Sequence, residues 1–295
     1  MIREAAWRVF AAEFNDATLE VNGGGDRAPS YVITPLGAKV NRIYAVGVVT
    51  DVENIGTDMQ PMWRARVQDP TGTFHLYAGQ YQPAASAVLS KLKPPVFGAV
   101  VGKSRTYTPD SGTVYTSIRP EIVKTVDENA RDYWILEACQ SLKRRLDAMA
   151  EASRMDPPSK EALVKLGVRE SLADGIVQAV GHYGMADLSR YTAMLAEALR
   201  YLLPEYRGDR SPETVVADIA PAAPEKEPEA DAGRETSVLE VIVELDKDGK
   251  GAPWDAILTG AKAKGLSKED LEEAINGLLD KGLVYEPVLG RMKKI

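Results

Sequence analysis

Arginines and aromatic residues alternate with apolar residues in two consecutive stretches, 63–67 and 74–78. Successive side chains of a β-strand point to opposite faces, so the polar members of both stretches are predicted to share one face. Guanidinium groups bind phosphates and aromatic rings stack on unpaired bases, a combination that is typical of a surface for single-stranded nucleic acid. The predicted binding residues of this face are Arg64, Arg66, His75 and Tyr77.

A second set of basic and aromatic residues lies on either side of the turn Pro109-Asp110-Ser111-Gly112. The turn joins two stretches rich in Val, Thr and Tyr, and the same alternation predicts that this set faces outward on a hairpin. It would extend the binding surface beyond the first two stretches. Its members are Lys103, Arg105 and Tyr107 before the turn, and Tyr115, Ser117 and Arg119 after it.

The way in which charge is distributed along the chain favours a nucleic-acid partner, although the net charge does not. The net charge is −7, which by itself is unfavourable for binding phosphates. Between residues 42 and 126, however, nine Lys or Arg and six Asp or Glu give a net charge of +3. The segment 205–235 instead carries four basic and nine acidic residues. The positive charge is therefore concentrated where the arginines and aromatic residues alternate.

Motifs for catalysis and for metal binding are missing from the sequence. Cys139 is the single cysteine and there are only two histidines, so a zinc cluster is not expected. The glycine-rich stretch 22–26 lacks the lysine and the hydroxyl residue of a phosphate-binding loop. We therefore predict a protein that is not an enzyme, with no catalytic residue, no metal ion and no cofactor.

The segment 30–126 is predicted to form the OB-fold β-barrel that positions these residues. Five stretches rich in Val, Ile, Tyr and Thr are bounded by Gly, Pro, Asp or Asn, as strands are. Asp69-Pro70-Thr71-Gly72 predicts a tight turn between the second and third strands. Residues 82–92 predict a short helix between the third and fourth, which completes the order of an OB-fold.

The flanking segments make this a multidomain β + α chain, in which a helical region, a flexible acidic linker and a C-terminal winged helix follow the barrel. Residues 1–29 are predicted to form an N-terminal helix and a flexible loop. Residues 127–206 are predicted to be helical, with Asp127 as the first cap. Residues 207–235 are rich in Pro, Ala, Glu and Asp and are predicted to form a disordered linker.

The winged-helix domain is predicted over 236–295. Helical patterns at 236–245, 253–264 and 268–281 are followed by two short strands. The third of these helices carries five acidic and two basic residues, a balance that disfavours phosphates. We therefore predict that the domain binds proteins in preference to duplex DNA.

A membrane is not among the expected partners. No stretch of about 18 apolar residues is present. The first residues include Glu4 and Glu13, and no small-residue cleavage site follows them, which is unlike a signal peptide. We expect a cytoplasmic, nucleoid-associated protein.

The stretch WRARVQDPTGTFHLYAGQYQP at 63–83 resembles archaeal replication protein A-associated OB-fold proteins. The resemblance covers about 30–150, and the domain order is similar to that of the middle subunit of replication protein A. It implies a single-stranded DNA-binding accessory subunit of a replication protein A-like complex in DNA replication and repair. It also implies that the helix at 128–151 associates with a larger replication protein A subunit. The winged helix would recruit replication or repair proteins.

Two other functions remain open at this point. The overall acidity favours a protein-protein adaptor with no DNA binding of its own. A winged helix can also place a helix in the major groove, so a duplex-DNA-binding regulator is a further alternative. The sequence does not assign a role to the helices at 155–206.

Overall fold

The chain, seen in a computed structural model, divides into two compact units. The first comprises 1–108 and 114–222, and the second comprises 109–113 and 223–295. The residues that the structure describes are 4–22, 30–57, 60–108, 114–203, 212, 229–246, 251–264, 271, 274, 275, 278, 283–288 and 291–294.

The N-terminal part of the first unit is mostly extended. Its helix α1 spans only Ala11–Asn15. A small antiparallel sheet follows, in which β1 (Leu19–Asn22) pairs with β2 (Ser30–Ile33) and β2 pairs with β3 (Lys39–Val40). Within the predicted N-terminal segment 1–29, the helix is confined to 11–15 and residues 19–22 form a strand. Residues 23–29, which include most of the predicted loop, lie outside the described residues. The predicted start of the barrel at residue 30 was too early.

Backbone pairing with the barrel explains why the residues before α1 are extended. Strand β4 (Arg42–Asn54) pairs with its neighbour β5 only from Val48 onward, which leaves one edge of its first residues open. Trp7 covers this edge, since its N–H donates to Arg42 O and its carbonyl accepts from Tyr44 N, both at 2.8 Å. These long-range bonds outweigh the local helical pattern.

Five strands close the barrel of the first unit, in the order β4-β5-β6-β8-β7. Besides β4, the elements are β5 (Trp63–Asp69), β6 (Gly72–Ala78), α2 (Pro83–Leu89), β7 (Val96–Tyr107) and β8 (Tyr115–Thr125). The pair β6–β8 is parallel and the other pairs are antiparallel. The closed five-stranded barrel, with a helix between its third and fourth strands, fits the predicted OB-fold.

The alternation in β5 and β6 has the predicted phase. Ala65, Val67, Phe74 and Leu76 are fully buried inside the barrel. Trp63, which has the same phase in β5 as Ala65 and Val67, is partly buried and packs against the core. The polar residues between them are therefore on the outer surface.

The turn between β5 and β6 also holds α1 against the barrel. Asp69 Oδ2 accepts a hydrogen bond from the backbone N of Ala11 at 2.7 Å, while its Oδ1 accepts from N–H groups of the turn itself. Asp69 is thus both the turn residue and the partner of the first N–H group of α1. Phe14 of α1 is fully buried, with its ring centroid 6.0 Å from that of Phe74.

Four further helices of the first unit lie within the described residues. They are α3 (Glu128–Ala152), α4 (Lys160–Lys165), α5 (Glu170–Tyr183) and α6 (Leu188–Arg200). The predicted cap of α3 is confirmed, because Asp127 Oδ1 accepts from Ala130 N at 2.8 Å. Helix α3 contacts β4 and β7 of the barrel on one side and α5 and α6 on another.

The inner face of α3 is covered by its own chain. Trp134, Ile135 and Leu142 are fully buried, and Trp134 Nε1 donates to the carbonyl of Tyr44 at 2.8 Å. Tyr133 and Leu136 are the large apolar residues of α3 that are exposed, at 65% and 40%. The apolar face of the helix expected at 128–151 is thus used within the chain. A partner subunit would have to contact the side that carries the two exposed residues.

One ion pair is completely buried between α1 and α3. Arg145 Nε and Nη2 donate to the two carboxylate oxygens of Glu13 at 2.9 and 2.6 Å, and the side chains are 1% and 0% exposed. Thr34 Oγ1 also donates to Glu13, at 2.9 Å, and Arg145 Nη1 donates to Ser141 Oγ at 2.6 Å. These additional bonds offset the cost of removing both charges from water.

The second unit combines helices with a small antiparallel sheet of order β10-β11-β9. Its elements are α7 (Glu229–Leu245), β9 (Ala252–Pro253), α8 (Trp254–Ala263), β10 (Val284–Val288) and β11 (Arg291–Lys294). The second unit has its own buried core, which includes Val238, Ile242 and Ile257. A further set of residues at helical spacing belongs to the same core. That set is Leu271, Ala274, Ile275 and Leu278.

Helix α7 begins seven residues before the predicted start at 236. Pro228 is the last proline before it, and most residues of 229–235 are Glu, Ala or Arg, which favour helices. The predicted linker therefore extends too far at its C-terminal end. Its remainder, 207–228, lies outside the described residues apart from Pro212. Most of the predicted third helix, 268–281, lies outside them as well.

The buried carboxyl of Asp69 should make stability depend on pH. Burial raises its pKa from 3.8 to about 6, although the hydrogen bonds that it accepts act in the opposite direction. The folded protein then holds this proton more tightly than the unfolded chain, so the free energy of unfolding should fall as the pH rises from about 4 to about 6. Asp69→Asn removes this titration. Urea denaturation should show the difference between wild type and variant falling by up to about 3 kcal/mol over that interval, and a constant difference would contradict the prediction.

Replacing one partner of the pair Glu13–Arg145 should be more damaging than replacing both. Arg145→Met leaves the Glu13 carboxylate buried without a cation, which should cost about 3–5 kcal/mol of unfolding free energy. The double variant Glu13→Gln/Arg145→Met leaves no buried charge and should recover much of this loss. Lys143→Met, in an exposed ion pair with Asp147, is the control and should change stability by about 0.5 kcal/mol or less. Equal losses for the single and double variants in urea denaturation would contradict this account.

Candidate nucleic-acid interface

The outer surface of β5 and β6 brings together the four residues predicted from their alternation. Arg64 lies directly opposite Tyr77, and Arg66 lies opposite His75. All four side chains are half-buried on the outside of the barrel. Two guanidinium groups thus flank two aromatic rings on neighbouring strands.

Tyr77 is held in place by its opposite residue. It is hydrogen-bonded to Arg64, and the charges of Arg64 and Arg66 favour its phenolate form. Burial has the larger effect and raises the pKa of Tyr77 above its ordinary value of 10.0. The phenol therefore stays protonated at neutral pH, and its ring lies between cations without adding a negative charge.

The hairpin of β7 and β8 carries the second predicted set. Lys103 pairs with Arg119, and Arg105 pairs with Ser117. The third pair is Tyr107 and Tyr115, which lies two residues beyond Arg105 and four beyond Lys103, roughly 7 and 13 Å at the usual rise per residue. The phenol oxygen of Tyr107 is buried and has no hydrogen-bond partner in the described part of the chain. The two tyrosines are therefore at the end of the hairpin, beside Arg105 and away from Lys103 and Arg119.

The parallel pair β6–β8 joins the two sets into one line. Its register aligns Leu76 with Ile118, so the next residue of each strand, Tyr77 and Arg119, are neighbours on the outer surface. Lys103 in turn lies opposite Arg42 of β4. We call the resulting line the basic row; its members are Arg64, Tyr77, Arg119, Lys103 and Arg42. A parallel line beside it contains Arg66, His75, Ser117 and Arg105.

Carboxylates pair with two members of the basic row. Arg64 forms an ion pair with Glu53, which lies opposite it on β4. Arg42 Nε donates to Glu121 Oε2 at 2.8 Å. Lys103 is exposed and makes no ion pair with the described residues. The row therefore contains cations that are already paired beside one that points to solvent.

A groove of about 560 Å³ opens beside the basic row, between the start of α2 and the β7–β8 hairpin. Lys103, Arg105 and Arg119 line one side of it. Tyr81 and Ile122 also line it and are 59% and 44% exposed.

The sequence did not identify Arg42, Tyr81 or Ile122 as candidates. An aromatic residue just after a strand, in the stretch Gly79-Gln80-Tyr81, was the signal available for Tyr81. Arg42 joins the row only because β4 pairs with β7 when the barrel closes. The residues around Arg42 in the sequence do not indicate this pairing.

Other chemistry has little support among the described residues. No group of three or more His, Cys, Asp or Glu side chains in this part of the chain could hold a metal ion. Burial raises the pKa of the Cys139 thiol to about 12, so it stays protonated and is a poor nucleophile. No described helix has the length and apolar character needed to cross a membrane.

No protein family model and no curated protein matches the sequence. Among solved structures, the second single-stranded DNA-binding protein of Mycobacterium smegmatis is 15% identical over 29% of this chain and 86% of that one, with a TM-score of 0.26. The small single-stranded DNA-binding protein of Streptomyces coelicolor is 22% identical over 32% of this chain and 99% of that one, with a TM-score of 0.23. An OBody bound to hen egg-white lysozyme is 13% identical over 38% and 93%, with a TM-score of 0.26. At such values, what this chain binds must be argued from its own residues.

Proposed function

We propose that the chain binds single-stranded DNA through the outer surface of its barrel. The observation that carries the proposal is the basic row, which crosses all five strands and therefore follows the outside of the closed barrel for roughly 19 Å of its circumference, at the usual spacing of strands. Four cations with an aromatic ring among them match the repeating phosphates and bases of a single strand.

Binding proceeds by an exchange of partners at the arginines. Phosphates replace Glu53 at Arg64 and Glu121 at Arg42, and a further phosphate binds Lys103. Unpaired bases stack on the rings of Tyr77 and His75. No covalent step is involved, so the chain acts as a binding protein and not as an enzyme. Because each phosphate contact releases counterions, affinity falls as salt rises.

We further propose that the chain is an accessory subunit of a replication protein A-like complex in DNA replication and repair. The resemblance of 63–83 to that family supports this role. Tyr133 and Leu136, exposed on α3, are the surface where a larger subunit would associate.

For the second unit we propose a winged helix that recruits protein partners. This assignment is supported by the order of elements in the unit. Two helices are followed by buried positions at 271–278 and then by a hairpin, and β9 completes the sheet. An acidic excess of eleven over nine basic residues in 236–295 makes duplex DNA a poor partner for it.

The ion pairs of Arg64 and Arg42 favour an alternative function, an adaptor that binds no DNA. Both Arg64 and Arg42 are paired with carboxylates, in a chain whose net charge is −7. In that case the paired cations would stabilise the barrel, and the outer surface would contact a protein. The two functions differ in whether the chain alone has affinity for an oligonucleotide.

These functions are distinguished by fluorescence anisotropy. Binding is measured with a labelled dT 30-mer and with a matching duplex, each at two salt concentrations. We expect salt-dependent binding of the single strand and weaker binding of the duplex. The variant Arg64→Ala/Arg66→Ala/Tyr77→Ala should lose most of the affinity, and its salt slope should drop by about 0.7 for each lost phosphate contact. The control Lys143→Ala/Arg144→Ala/Tyr133→Ala removes the same numbers of cations and rings from the exposed side of α3. Tighter binding of duplex, or no binding by the wild type, would refute the proposal.

Removing the carboxylate that competes for Arg64 should strengthen binding. Glu53→Gln leaves the side chain nearly unchanged in shape but removes its charge, so a phosphate no longer has to displace an ion pair. A partly exposed pair contributes up to about 1 kcal/mol, which corresponds to an affinity gain of roughly 2- to 5-fold. The control is Glu151→Gln on α3, which has the same change of charge. Glu151 is in an exposed ion pair with Arg154. A weaker affinity of Glu53→Gln in anisotropy would mean that Glu53 positions Arg64 for the ligand.

A further inference from the structure

The groove beside the basic row has one rigid wall that presents an aromatic ring. The turn before α2 is held by Gln82, whose backbone N donates to Gly79 O and whose Oε1 accepts from Gly79 N, both at 3.0 Å. Ser86 Oγ donates to the same carbonyl at 3.1 Å. These bonds fix the backbone on either side of Tyr81, yet its side chain remains 59% exposed. The ring is thus available on an ordered support.

The opposite wall combines cations with an apolar side chain. Lys103, Arg105 and Arg119 line it together with Ile122, which is 44% exposed. Glu121 is the carboxylate in this lining, and its charge is balanced by the ion pair with Arg42. The groove is therefore cationic on one side and apolar at its rim.

This pairing of surfaces suits a single nucleotide. A nucleobase is planar and apolar on its faces, and it carries a phosphate on one side through the sugar. An exposed ring and an exposed aliphatic side chain bind the faces of a base, whereas lysine and arginine bind the phosphate. A base within a duplex is stacked between its neighbours and cannot offer its faces in this way.

We propose that the groove is a subsite for one unstacked nucleotide of the bound single strand. Its base lies against Tyr81 and Ile122, and its phosphate is bound by Lys103 and Arg119. The inference rests on the proposed function, because Lys103 and Arg119 belong to the basic row as well. The strand therefore continues from the row into the groove.

Photo-crosslinking and anisotropy with the full chain test the subsite. A dT 30-mer in which single thymidines are replaced by 5-iododeoxyuridine is irradiated with the protein, and mass spectrometry locates the linked residue. Affinities are measured for Tyr81→Ala, Tyr81→Phe and Tyr133→Ala. The last variant removes a tyrosine that is 65% exposed but lies on α3, outside the groove.

We expect a crosslink at Tyr81 and an affinity about 5-fold to 100-fold lower for Tyr81→Ala, the range for loss of one stacked base. Tyr81→Phe keeps the ring and should bind as the wild type does, as should Tyr133→Ala. Suppose that Tyr81→Ala binds as the wild type does, while Arg64→Ala/Arg66→Ala/Tyr77→Ala still loses binding. This result would overturn the subsite and leave the proposed function intact. No binding by the wild type would overturn both.

Discussion

The position of α1 depends on the buried ion pair between Glu13 and Arg145. Two charges removed from water are costly unless every polar atom finds a partner. Thr34 and Ser141 supply the hydrogen bonds that the pair itself leaves open. Any shift of α1 relative to α3 would leave a buried charge with an incomplete set of partners. The pair therefore determines where these two helices and the β2–β3 connection meet.

Helix α1 is joined to the barrel strands by polar contacts. Asp69 bonds to Ala11 of α1 and closes the β5–β6 turn with the same carboxylate. Asn15 at the end of α1 donates to Thr73 O on β6 at 2.9 Å and accepts from Thr116 Oγ1 on β8 at 3.1 Å. The helix thus bridges the two strands whose parallel pairing places Tyr77 beside Arg119. Backbone pairing between the strands aligns the basic row, and the contacts to α1 support the two strands at its centre.

Electrostatics explain how an acidic chain can keep one cationic surface. Glu53 and Glu121 neutralise two arginines of the row while no phosphate is present. Such partly exposed pairs contribute about 1 kcal/mol or less, so a phosphate can displace them. Lys103 is exposed beside the groove and makes no ion pair with the described residues. The carboxylates lower the affinity for single-stranded DNA in the proposed mechanism without preventing binding.

Local features of the fold were determined by the sequence by itself. Alternation along β5 and β6 placed Arg64, Arg66 and Tyr77 on one face, the turn at Asp69 set their hairpin, and Asp127 marked the start of α3. These signals act over two to four residues, because strand alternation, turns and caps depend on neighbours along the chain. For this reason the order of strands and helix along the chain and the outward-facing residues of two hairpins could be predicted.

Only the tertiary structure decided which of these surfaces meet and what lies beside them. Arg42 and Lys103 are about sixty residues apart in sequence and become neighbours through barrel closure. Trp7 lies in a segment with a helical pattern, yet it is extended because β4 offers it an open edge. Tyr81 belongs to the site because its turn faces the β7–β8 hairpin across the groove. Contacts of this kind depend on long-range pairing and burial, which residue types and spacing alone do not specify.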